Sequence, residues 1–147
     1  MKKVDQTVFG IERGNCFSAC IASLLELPID RVPFFMTGDD WFDGFQAWLK
    51  PFGLYGVALG VTQTDAWRRL LPGHYVLCGL SPRGPHAVVA RDLEMVHDPH
   101  PDRTGLLVVE EAILLVPFEP AHAVAGSLLM RGDPYGSGAA QEEAPHG

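Results

Sequence analysis

A chain of 147 residues with 47% hydrophobic and 20% charged side chains is the size of one compact domain, and its composition excludes wholesale disorder. Its net charge of −7, with lysines and arginines adjacent only at Lys2–Lys3 and Arg68–Arg69, excludes a nucleic-acid surface, because neutralising phosphates needs clustered basic residues.

Residues 1–15 hold turn formers (Gly10, Gly14, Asn15) and one apolar patch, Val8–Phe9, and read as an irregular lead-in. From Cys16 the pattern changes. Phe17, Cys20, Ile21, Leu24 and Leu25 recur at the spacing of one helix face, with Asn15 as the expected N-cap and Pro28 as the stop. Ile29–Phe35 carries two prolines and reads as a connector. Asp39 or Asp40 is placed to cap a second helix, Trp41–Leu49, which Pro51 and Gly53 end. Tyr55–Leu59 reads as a short strand, and Thr64–Leu71 as a third helix ended by Pro72.

After residue 73 the texture becomes β. Tyr75–Leu80, Ala87–Arg91 and Met95–His97 are strand-like runs separated by SPRGP and by a tight turn at Asp92–Glu94. Leu106–Val109 and Ala112–Pro117 add one or two more. Helices followed by an antiparallel meander define an α+β fold. Ala121–Met130 reads as a last short helix that completes a single domain over residues 1–130. The Gly- and Pro-rich remainder, 131–147, reads as a disordered tail.

No apolar run reaches the ~18 residues of a membrane span, and the opening MKKVDQTVFG lacks the apolar core of a secretory signal. Three cysteines (16, 20 and 78) are too few, and odd in number, for a disulfide framework. A cytoplasmic, reducing setting is therefore expected, and no membrane partner. Adjacent His97 and Asp98 point to opposite faces of a strand, which spoils joint coordination, so neither a metal nor another cofactor is expected.

Chemistry concentrates at Cys16. A cysteine in the first turn of a helix meets unpaired amides and the positive end of the helix dipole, which favour a thiolate and can hold an oxyanion. Cys20, one turn later, and Cys78, inside a β run, read as core. A thiolate also needs a proton acceptor, and that acceptor an orienting group. His86 starts the strand HAVVARD, Asp98 ends the next strand-like run, MVHDPHP, and two neighbouring antiparallel strands bring them together.

Gln6, Cys16 in GNCFSAC, His86 in HAVVA and Asp98 in HDPHP together resemble the papain-like cysteine peptidase superfamily. The nearest likeness is to its small branch of bacteriocin-processing (double-glycine) peptidases, over roughly residues 4–118. The run PRGPHAVV…VHDPHP is also similar to small bacteriophage and bacterial proteins grouped as cysteine peptidases. Phe17 stands where the double-glycine branch commonly has glycine, and the Gln6-to-Cys16 gap is longer. The resemblance implies a papain-like domain with N-terminal helices packed on a C-terminal antiparallel sheet. In it Cys16 attacks a carbonyl, His86 moves the proton, Asp98 orients the imidazole, and the Gln6 side-chain amide joins the Cys16 backbone N–H in an oxyanion hole. The expected substrate is a peptide, isopeptide or related amide. An acyltransferase or deamidase on the same scaffold, and a non-catalytic interaction domain such as a phage protein that modulates its host, are the competing readings.

Overall fold

The computed structural model describes residues 1–60, 71 and 73–119. Two helices, α1 (Cys16–Leu25) and α2 (Trp41–Leu49), precede five strands: β1 (Leu54–Gly60), β2 (His74–Ser81), β3 (Gly84–Arg91), β4 (Glu94–His97) and β5 (Val108–Pro117). The strands form one antiparallel sheet in the order β1-β5-β2-β3-β4. This is the expected α+β class. The helix expected over 64–71, the one over 121–130 and the tail from 131 lie outside the described residues, apart from Leu71, which is buried in a non-helical segment.

α1 starts at Cys16 as expected but stops earlier than Pro28 requires: Glu26 takes a left-handed conformation and its N–H bonds to the Ala22 carbonyl. Every residue from Phe17 to Leu25 is buried, because the helix lies between the sheet and the lead-in segment. Lys2 N–H donates to the Ser23 carbonyl and Val4 N–H to Ser23 Oγ, at 3.0 Å each. Ser23 is therefore a core residue that anchors a second chain segment.

α2 has the predicted bounds. Its apolar stripe meets α1 and the connector in a cluster of rings, in which Phe17, Phe35, Trp41 and Phe45 pack largely edge-to-face at centroid distances of 5.1–6.3 Å. Each such pair adds about 0.5–1.5 kcal/mol beyond burial. Neither expected cap operates: Asn15 and Asp40 occupy the N-cap positions, yet neither side chain bonds its helix.

Alternation assigns the two faces of the sheet. Val76, Ala87 and Val89 pack with α1, while Tyr75, Leu77, Val88 and Ala90 form a second cluster with Leu71 and Ala112. The hairpins are tight. Asp92 and Leu93 both have positive φ (56° and 63°), as a two-residue turn between twisted strands requires.

One expectation fails in topology. The strands are no simple meander, because β5, a single strand where two runs suggested one or two, inserts between β1 and β2. β1 pairs with β5 from Leu54↔Pro117 to Gly60↔Glu111. β2 pairs with the other side of β5 through a bulge between Cys78 and Gly79. There Glu110 is the extra residue, since Cys78 faces Glu111 and Gly79 faces Val109. Gly79 makes this approach feasible, for a Cβ on it would collide with the Val108 carbonyl.

Candidate functional site

The lead-in shapes the start of α1. Gly14 N–H donates to the Gly10 carbonyl at 2.9 Å, and a Cβ on Gly14 would lie 2.5 Å from that oxygen, so only glycine fits the turn. Asn15 does something other than capping: its Oδ1 accepts from Thr7 N–H (3.0 Å) and Val8 N–H (2.9 Å), and its Nδ2 donates to Thr7 Oγ1. This clamp closes the long Gln6-to-Cys16 gap into a compact loop. It also leaves the first amides of α1 uncapped beside the thiol.

Cys16 is partly exposed, and its sulfur lies within reach of the backbone amides of Ala87, Phe17 and Cys16 itself. Burial nevertheless dominates and pushes the thiol above its ordinary 9.0, with the negative charge of Asp98 adding to the rise and the three amides opposing it. This corrects the expectation of a thiol acidified by the helix start. The local amides act in the expected direction, but the desolvation imposed by tertiary packing is larger.

His86 is the third residue of β3, which starts at Gly84 and not at His86 as expected, and is buried. Its Nε2 lies 2.7 Å from Asp98 Oδ1. Asp98, just past β4, is 1% exposed and accepts two further hydrogen bonds, from His100 N–H to Oδ1 (2.9 Å) and from Gly105 N–H to Oδ2 (2.7 Å). Burial raises its pKa, but the bonds from His86, His100 and Gly105 outweigh that and hold the carboxyl below its ordinary value. An ionised Asp98 draws the ring proton to Nε2, which makes Nδ1 the basic nitrogen.

Cys16 and His86 line the same two lobes of one cleft, with Ile11, Gly14 and Pro85 between them. The smaller lobe, about 140 Å³, contains Gln6, Phe9, Ser81, Arg83 and His100. The larger, about 300 Å³, runs past Phe34, Met36 and Trp41. The chain thus brings together Cys16, His86, Asp98 and Gln6. Gln6 is already engaged on one side: its Nε2 donates to the Val8 carbonyl at 2.9 Å, and its buried Oε1 has no hydrogen-bond partner among the described residues. The second N–H of Nε2 makes no hydrogen bond among the described residues.

Other sequence readings resolve here. His97 and Asp98 do point apart: His97 Nε2 meets the Val4 carbonyl at 2.8 Å and Asp5 Oδ1 at 3.4 Å. His100 stands at the cleft mouth, its ring edge-on to His86 at 6.3 Å. Cys20 is fully buried, while Cys78 is partly buried, packing against the core cluster and also lining the larger lobe. Among the described residues, no group of three or more His, Cys, Asp or Glu is arranged to hold a metal ion, and no helix is long and apolar enough to cross a membrane.

Three contributors were missed. Arg103 donates to the Asp98 carbonyl and forms a two-pronged pair with Asp5 (2.6 and 2.9 Å), which ties the lead-in to the Asp98 loop. Glu110 and Glu111 line the larger lobe. Two adjacent charges inside the run VVEEAILL interrupt strand alternation, and that was the signal available for the bulge. Against protein-family models, curated proteins and solved structures alike, the chain finds no match.

Proposed function

We propose that the protein is a papain-like cysteine hydrolase that cleaves a peptide, isopeptide or related amide bond through a thioester on Cys16. The observation that carries this reading is the shared cleft of Cys16 and His86, with Nε2 of His86 held by a buried, ionised Asp98.

In the reaction, His86 Nδ1 takes the thiol proton as Cys16 Sγ attacks the carbonyl carbon. The carbonyl oxygen becomes an oxyanion, met by the uncapped amides at the start of α1 and the remaining N–H of Gln6 Nε2. Collapse breaks the C–N bond, and the departing amine receives the proton from His86. Water then attacks the thioester, giving its proton to His86. The second intermediate expels the Cys16 sulfur, which is reprotonated, and releases the acid. The raised thiol pKa fits a resting state in which the sulfur keeps its proton until the substrate arrives.

Iodoacetamide followed by mass spectrometry is expected to label Cys16 well ahead of buried Cys20 and of Cys78. Cys16→Ala is expected to abolish turnover in a screen of peptide, isopeptide and cell-wall amide substrates while the circular dichroism spectrum stays unchanged. Faster labelling at Cys20 or Cys78, or turnover that survives the substitution, overturns the proposal.

A further inference from the structure

The larger lobe of the cleft has features that the bond-breaking chemistry leaves unused. One wall is apolar and open, formed by Ile11, Phe34 and Met36 (72%, 38% and 38% exposed) with half-buried Trp41. The same lobe is also lined by three carboxylates, Glu12, Glu110 and Glu111. None of them takes part in an ion pair among the described residues.

Two of these carboxylates reach the lobe through a specific backbone device. Neighbours on a regular strand point to opposite faces of a sheet. The bulge at Glu110 breaks that rule, so Glu110 and Glu111 both line the lobe, and it depends on the missing side chain of Gly79. Bulges of this kind re-aim side chains near functional sites. The carboxylates do not serve the sulfur, since negative charge near a thiol opposes its ionisation, as Glu111 and Glu110 do at Cys78. Nor are they gathered closely enough to hold a metal ion. A lobe that combines open apolar surface with uncompensated negative charge suits an elongated organic cation, because aliphatic stems lie on apolar surface while their charged heads reach polar groups.

We infer that the larger lobe is a specificity subsite for a lysyl or arginyl side chain next to the scissile amide. The stem lies along Phe34, Met36 and Trp41, and the cationic head meets Glu110 and Glu111, with Glu12 at the rim. The inference rests on Cys16 being the nucleophile, and its test separates the two.

Acetyl-lysyl and acetyl-norleucyl chloromethyl ketones carry the same four-carbon stem with and without the charge. In each, the Cys16 sulfur displaces chloride to form a thioether that mass spectrometry locates. The lysyl reagent is expected to modify Cys16 about tenfold faster in 0.15 M salt, the order that several partly exposed charges acting together supply. The ratio is expected to fall to near one in Glu110→Gln/Glu111→Gln and to persist in Asp92→Asn/Glu94→Gln, a charge-matched control on the distant β3–β4 hairpin. Glu111→Gln alone serves if the double variant does not fold. Equal rates for the two reagents, with iodoacetamide still selecting Cys16, overturn the subsite and leave the nucleophile standing. A lysyl preference that survives Glu110→Gln/Glu111→Gln traces to overall charge and also overturns it. If iodoacetamide does not select Cys16, both proposals fall.

Discussion

Asp98→Ala is expected to lower the free energy of unfolding by roughly 3–5 kcal/mol, the range for removing one partner of a buried charged pair. The substitution strips three donors of their acceptor at once: His86 Nε2, His100 N–H and Gly105 N–H. The last two hold the loop that returns the chain from β4 toward β5, so the damage extends beyond the imidazole. Urea unfolding reads the effect as a lower midpoint at unchanged slope. Asp98→Asn is expected to cost less, because it keeps one acceptor oxygen but turns an amide against a donor.

The same carboxylate sets an acid limit. Its pKa is lowered in the folded state from the ordinary 3.8, so its stabilisation is complete above that value and is lost as pH falls through the lower, folded value. The stability curves of the wild type and Asp98→Asn are therefore expected to converge below about pH 4. A constant gap down to pH 2 would show that the Asp98 charge contributes nothing.

His86→Ala is expected to slow alkylation of Cys16 at pH 7 by roughly a hundredfold. The magnitude follows from burial, which pushes the thiol above 9.0, so that without an internal acceptor the thiolate is scarce at neutrality. The profile matters as much as the rate. The variant's reactivity is expected to climb only in alkaline solution, whereas the wild type already reacts near neutrality by passing its proton to Nδ1. Matching profiles would show that the imidazole does not serve the sulfur.

Local pattern made much of this molecule readable. Trp41, Phe45, Trp48 and Leu49 repeat at helical spacing ahead of Pro51 and Gly53, and α2 has those bounds. The turns after Ser81 and Arg91 delimit β2, β3 and β4, and this made the meeting of His86 and Asp98 legible, since adjacent hairpins leave little choice of neighbour. What escaped depends on segments far apart in the chain. An asparagine ahead of a helix can serve its own helix or another segment, and only the lead-in lying beside it commits Asn15 to Thr7 and Val8. The Phe17 and Cys16 amides that favour a Cys16 thiolate are encoded within one helical turn, but the Ala87 amide and the burial that outweighs all three come from tertiary packing. Glycine at 79 admits a register shift without specifying the strand that uses it, so the position of β5 and the exposure of Cys78 were not legible.

The position of β5 also sets when the cleft can exist. Among the described residues β1 is an edge strand whose one sheet neighbour is β5, the last of these strands to leave a ribosome. Cys16 emerges before the His86 imidazole and the Asp98 carboxylate, and the strand that carries Glu110 and Glu111 follows them. Pairings over such separations also form slowly once the chain is free. A nascent chain therefore carries the Cys16 thiol without a finished cleft around it, and under the proposed mechanism full reactivity is expected only with the strand that completes the sheet.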